Sequence, residues 1–340
     1  MIRHEGIEEY EEDILFNVKN NILKKNAKRL DRILMIGPDG PENLFYLSHH
    51  LYYEFKKLGI DVKYYGRNNI GASIHVKNRR MFFPLNNLLQ KLEGWTPDFI
   101  FVEECLLPVR NTTNIPSAYH HREFRRPYEF YYPTLEYCNQ PNLMDFYEKW
   151  NETMWCAQVP TRKLLPLAYS PEIFSFTKKK KYKGITTIGL RESHEESLKR
   201  NELTRTPFIL LLMKEAENAK PYITNILPPQ GDESFRETLS QVQIYYCIMA
   251  CGQYCSRRIL EAMGSGAQVV LKIQSKEQED TLKDEYFLER GIHYTGIDSV
   301  EELANVKHDP EMVKRAHDIV KEHHTYKNRV KQIIEDFYAI

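Results

Sequence analysis

The sequence predicts an α/β protein of two Rossmann-like domains, and three observations carry that prediction. Short apolar runs alternate with helix-like stretches from Asp31 onward, the rhythm of parallel strands joined by crossover helices. The rhythm breaks over 170–184, a segment that opens on Ser170-Pro171, lacks periodicity and carries the run Lys178–Lys181, and then restarts. The length, 340 residues, exceeds what one hydrophobic core usually serves.

Residues 7–30 read as a charged amphipathic helix with an apolar stripe of Ile14, Leu15, Val18, Ile22 and Leu23. DRILMIG (31–37) is a buried strand ending in glycine, followed by the polar turn PDGPEN (38–43). Phe45–Leu58 reads as a helix stopped by Gly59, and IDVKYYG (60–66) as the next strand. TPDFIFVEE (96–104), IPSAYHH (115–121) and LLPLAY (164–169) complete the strands of the first half. In the second half the strands are GITTIGL (184–190), PYITNI (221–226), VQIYYCIMA (242–250) and AQVVLKI (267–273). Helices fall at Glu195–Leu203, Phe208–Ala219, 234–241 and 256–264, and another opens at Ser299. The stretch 309–339 is helical with a break at His323–Tyr326.

Lys plus Arg and Asp plus Glu number 47 each, so the formal net charge is zero and nothing global favours a polyanionic partner. The beginning, MIRHEGIEEYEEDILF, is acidic and lacks the apolar core of a signal peptide. No stretch approaches the roughly 20 apolar residues that span a bilayer. Six cysteines in so long a chain do not make a secreted disulfide framework, so the sequence reads as cytoplasmic and reduced. Cys247, Cys251 and Cys255 fall across a strand and a loop rather than on one helix, which argues against a metal site.

The strongest local signal is SRRILEAMGSGAQVV (256–270), a helix that ends at Gly264 and passes through Gly266 into a strand. Arg258 and Glu261, three residues apart, can share one helix face, with Arg257 beside them. A guanidinium offers a fixed fork of donors to phosphate, and an ionised carboxylate accepts from ribose hydroxyls; a plain surface ion pair would look the same. The second signal is YHHREFRRPYEFYYPTLEY (119–137), where His120, His121 and Glu123 can accept a proton from a hydroxyl and Arg and Tyr suit phosphate and sugar rings. A wet aromatic surface or the contact face of a homo-oligomer is the competing reading. GPDG (37–40) lacks the third glycine of a dinucleotide fingerprint, and no phosphate loop ending Gly-Lys-Ser/Thr is present. Gly189 and Arg191 follow the first strand of the second half, where a phosphate can meet a helix start.

Four stretches in this order and spacing, LLPLAYSPEIF, ITTIGLRES, SRRILEAMGSGAQVV and EHHTYKNRVKQII, resemble the glycosyltransferases of the spore-maturation-protein (CgeB-like) type within the broad family 1 and family 4 group. The resemblance implies a GT-B fold, two facing Rossmann-like domains with a cleft between them. Residues 1–165 would form the acceptor side, 166–325 the side that holds the nucleotide-sugar donor, and 326–340 a terminal helix crossing back. Glu261 would hold the donor ribose, Arg258 and Arg191 would lie near its diphosphate, and Gly264 and Gly266 would leave room for it. His324, Tyr326 and Arg329 would secure the last segment as it crosses back, with His324 and Tyr326 bordering the donor. The donor would be a substrate rather than a tightly held cofactor, no metal would be needed, and the acceptor would be a saccharide, a protein or a modified base. The family often carries a second glutamate eight residues before the ribose-binding one; here that position is Gln253. A silent nucleotide-sugar-binding or assembly protein and an epimerase-like enzyme remain the competing functions, with a transferase acting on modified DNA bases supported only by the basic stretch Arg122–Arg126.

Overall fold

The computed structural model of the chain describes residues 29–37, 47–66, 83–84, 89–90, 92, 94–103, 109–110, 115–121, 135–138, 161–188, 214–227, 232–248 and 255–340. The helix expected at Glu195–Leu203 and nearly all of that expected over 7–30 lie outside those residues. Contacts divide the chain into two compact units, Met1–Leu165 with Tyr326–Ile340, and Pro166–Thr325.

The first unit contains β1 (Arg32–Gly37), α1 (Leu47–Lys57), β2 (Asp61–Gly66), β3 (Phe83–Pro84), β4 (Phe99–Glu103), β5 (Val109–Arg110), β6 (Ser117–His121), β7 (Leu135–Cys138) and β8 (Thr161–Leu164). Six of these strands form one parallel sheet in the order β2-β1-β4-β6-β7-β8, and β3 pairs with β5 alone. Both faces of the central strands are covered, as the unbroken apolar runs require: Ile33 to Ile36 and Phe99 to Phe101 are fully buried. Leu34, Ile36, Ile100 and Val102 pack with Leu92 and Trp95. The Asp98 carboxylate accepts the backbone N–H groups of Asp31 and Arg32, both at 2.8 Å, and so aligns the starts of β1 and β4.

The terminal helix, Tyr326–Ala339, belongs to this unit. Its Phe337 ring meets Phe99 edge-on at 5.5 Å, and Gln332 Nε2 donates to the Leu164 carbonyl at 2.7 Å. Asp336, itself buried, accepts from the Tyr137 hydroxyl at 2.8 Å and from Lys163 Nζ. Burial, reinforced by that carboxylate, pushes the Tyr137 hydroxyl far up, so it stays a donor.

The second unit runs β9 (Tyr182–Ile188), β10 (Asn225–Leu227), α2 (Asp232–Ser240), β11 (Val242–Cys247), α3 (Arg257–Gly264), β12 (Gln268–Lys272), α4 (Lys276–Asp284), β13 (Thr295–Ile297) and α5 (Pro310–His323). Its sheet is also parallel, in the order β10-β9-β11-β12-β13. Buried Gln268 ties β12 to β13 and to the entry of α5: its Nε2 donates to Thr295 Oγ1 and the Lys307 carbonyl, and its Oε1 accepts from Asp309 N–H at 2.6 Å. Asp309 in turn caps α5, accepting from Glu311 and Met312, with Pro310 at the first helical position.

Several expectations shift. The last strand of the first sheet is Thr161–Leu164 rather than 164–169, because Pro166 has no N–H to extend a ladder. Pro221 starts a 3-10 turn at Lys220–Tyr222, so the strand there begins only at Asn225. The segment after Ser299 is a 3-10 turn, Val300–Asn305, closed by the Glu302 carboxylate on Ser299 N–H at 3.1 Å. Five elements, β3, β5, β7, α4 and β13, were not legible in the pattern. Among the described residues, no helix is long and apolar enough to cross a membrane.

Asp336→Ala leaves the buried Tyr137 hydroxyl and the Lys163 ammonium without their acceptor and should cost about 2–4 kcal/mol. Chemical denaturation measures this, and adding Tyr137→Phe should recover part of the loss, since the orphaned donor is then gone.

Candidate functional site

Each sheet reverses its strand order once, between β1 and β4 in the first unit and between β9 and β11 in the second. In open α/β sheets ligands bind outside the carboxyl ends of the strands at such points. In the second unit, α3 starts there: Ser256, its N-cap residue, places Oγ 3.8 Å from Sγ of Cys247, the last residue of β11. The first turn of α3 therefore lies, with Arg257 and Arg258, at the carboxyl end of β11.

The two arginines take different tasks. Arg257 Nε bonds Glu261 Oε1 at 2.8 Å, four residues along the helix, and Glu261 is only 3% exposed. Arg258 is exposed; its guanidinium lies 5.3 Å from the Phe235 ring centroid of α2. The guanidinium bonded to Glu261 is thus that of Arg257, while Arg258 turns toward α2. Burial holds the Tyr245 hydroxyl well above its ordinary range, with Arg258 pulling the other way. Burial likewise raises the Cys247 thiol, with Ser256 and Arg258 pulling the other way. Among the described residues, no three or more His, Cys, Asp or Glu side chains gather as a metal site would require.

At its other end α3 closes in a Schellman motif. Gly266, at φ +80°, donates to the Met263 carbonyl at 3.0 Å, and Ala267 donates to the Ala262 carbonyl at 2.9 Å. The room at the two glycines is taken by protein rings: a Cβ at 264 would lie 2.3 Å from the Tyr169 ring, and one at 266 would lie 2.8 Å from Phe176. A side chain at either position would therefore collide with the segment 169–176. His317 Nδ1 sits 3.0 Å from the Gly264 carbonyl, and its ring meets Phe176 at 4.7 Å. Lys180 Nζ donates to the carbonyls of Ser265 at 2.8 Å and Ser240 at 2.9 Å, so one ammonium serves the carboxyl ends of both α3 and α2. Burial draws this lysine down to about 8.

His324 and Tyr326 are both held by contacts within their own units. His324 is buried; its Nε2 bonds the Tyr286 carbonyl at 2.8 Å, and its own carbonyl accepts from Tyr169 N–H at 2.9 Å. Tyr326 is buried and stacks on His50 of α1, centroids 4.0 Å apart and planes 5° from parallel. His120 is fully buried on β6, 6.5 Å from the Phe101 ring. His121 closes β6 opposite Cys138, while Glu123, Gly189, Arg191 and Gln253 lie outside the described residues.

The switch point of the first unit gathers residues that sequence reasoning missed. Glu103, the last residue of β4, accepts from the backbone N–H groups of Leu47 (3.2 Å) and Ser48 (2.8 Å) at the start of α1, and from Ser48 Oγ. Ser48 Oγ and the Tyr64 hydroxyl lie 3.0 Å apart over Gly37, where a Cβ would collide with both. Gly37 after an apolar strand was the one signal of this cluster in the sequence.

No protein-family model matches the chain, and no curated protein sequence matches it. Solved structures do match. Sucrose-phosphate synthase from Thermosynechococcus elongatus is 10% identical with a TM-score of 0.56, over 91% of this chain and 98% of that one. The N-terminal domain of trehalose-6-phosphate phosphatase from Candida albicans is 10% identical, TM-score 0.54, over 93% and 98%. HepE from Anabaena, solved in complex with UDP and glucose, is 11% identical, TM-score 0.52, over 91% and 100%. At these identities the likeness establishes the fold, which is the two-domain GT-B architecture.

Gly264→Ala must displace the Tyr169 ring and should destabilise by about 1–3 kcal/mol, measured by denaturation. Lys180 binds fewer protons folded than unfolded between pH 8 and its ordinary 10.5, so its contribution to stability rises with pH across that window. Wild type should therefore gain on Lys180→Met as the pH of the denaturation series climbs from about 8 to 10.5.

Proposed function

We propose that this chain is a metal-independent glycosyltransferase that moves a sugar from a nucleotide diphosphate sugar to a hydroxyl acceptor. The second unit would hold the donor and the first the acceptor. The observation that carries this reading is the start of α3 at the β9/β11 switch point, where the exposed Arg258 and the Arg257–Glu261 pair meet the helix N–H groups. Cations at a helix start suit a diphosphate, and a fixed carboxylate suits ribose hydroxyls. The GT-B likeness, and in particular that to HepE in complex with UDP-glucose, supports the same reading.

In the reaction the acceptor oxygen attacks the anomeric carbon, and the bond from that carbon to the diphosphate oxygen breaks, its electron pair leaving with the nucleotide. Arg258 and the α3 start would balance the charge that gathers on the leaving diphosphate. The acceptor proton would pass to His121 or Glu123, and Arg191 with Gly189 would complete the phosphate side.

Isothermal titration of the full chain with UDP, GDP, ADP and TDP sugars, followed by a released-nucleotide assay, tests the proposal. Arg258→Ala should weaken donor binding about 10–100-fold, the cost of one charge-assisted contact. Absence of binding by every donor would sink the reading, and unchanged nucleotide affinity in Glu261→Ala would sink the ribose assignment. Binding with no transfer to any saccharide, protein or modified-base acceptor would point to a silent nucleotide-sugar-binding protein.

A further inference from the structure

The start of α1 stands at the β1/β4 switch point of the first unit, where a Rossmann-like domain commonly seats a ligand phosphate on helix N–H groups. Here those groups are already engaged. Glu103 is fully buried, and its two carboxylate oxygens accept from Leu47 N–H, Ser48 N–H and Ser48 Oγ. The surroundings hold the carboxylate in place: Ser48 Oγ also meets the Tyr64 hydroxyl, and Gly37 is bare so that both can approach. A phosphate at this point would have to displace a buried anion bonded to the same donors, and two anions would repel at close range.

We infer that Glu103 is a resident anion that fills the helix-start site of the first unit and excludes phosphate groups there. Whatever this unit takes at its switch point is accordingly a ligand whose approaching end is uncharged or cationic, such as a plain hydroxyl. Glu103 is then a specificity-determining residue that acts by occupying the site and has no part in bond making. The inference stands on the first unit alone and survives if the donor assignment on the second unit fails.

The test uses the full chain labelled with 15N at leucine and serine, titrated with inorganic phosphate. In the wild type the Leu47 and Ser48 amide resonances should not respond. In Glu103→Ala, which vacates the carboxylate, the same two resonances should shift with phosphate, and phosphate should raise Tm by about 2–4 °C more than it raises that of the wild type. Comparing variant with wild type cancels any phosphate bound elsewhere on the chain. Equal responses in the two proteins, or a phosphate response at Leu47 and Ser48 in the wild type, would overturn the inference. Should the alanine variant not fold, Glu103→Gln keeps the volume and removes the charge. Displaced Leu47 and Ser48 resonances with a lowered Tm then support the resident anion, and unchanged resonances and Tm overturn it.

Discussion

The Tyr169 ring occupies the space that a side chain at 264 would need, and the second unit is organised around that contact. The ring packs directly against the backbone of the last turn of α3. The same residue is pinned through its backbone: Tyr169 N–H donates to the His324 carbonyl, and Tyr169 bridges Thr325. His324 is held in turn by the Tyr286 carbonyl. Phe176 and Lys180, a few residues further on, close over Gly266 and Ser265. The segment 169–180 thus grips one end of α3, and the other end is left to present Arg257 and Arg258 beside β11. Rigidity at the carboxyl end of the helix is what makes a defined geometry at its amino end.

The two switch points carry opposite electrostatics although the two sheets share a plan. In the second unit the helix start is lined by guanidinium groups, one of them exposed. In the first it is neutralised by a buried carboxylate from the neighbouring strand. The difference arises from single residues on a common backbone architecture.

Much of the fold was legible because parallel strands buried on both faces write themselves as apolar runs, as in RILMIG, FIFVE and QVVLK. LEYC at 135–138 escaped because it comes after a tyrosine- and arginine-rich stretch that reads as turns, and its Glu136 is matched only in space, by Arg162 on β8 at 2.7 Å. The helix Lys276–Asp284 escaped because only Gln278 and Leu282 are buried on it, too few for a stripe. At the candidate site, sequence spacing placed Arg258, Glu261 and the two glycines in one motif, yet it could not tell which arginine faces inward. An i, i+3 and an i, i+4 partner are equally open until the core decides. Glu103 had no local signature, since its partners are more than fifty residues away in sequence.

The backbone bond between Tyr169 and His324 joins the two ends of the second unit close to where the chain comes in and where it goes out. The unit is therefore a self-sealed insertion in the first, its two chain ends brought together by its own hydrogen bonds. Evolution can exchange such an insert for another α/β module without asking the host sheet to re-form, because the chain passes from one unit to the other at only two points, and those points lie side by side in the insert. Recombination at 165/166 and 325/326 would thus exchange one α/β unit as a block while the other is inherited unchanged.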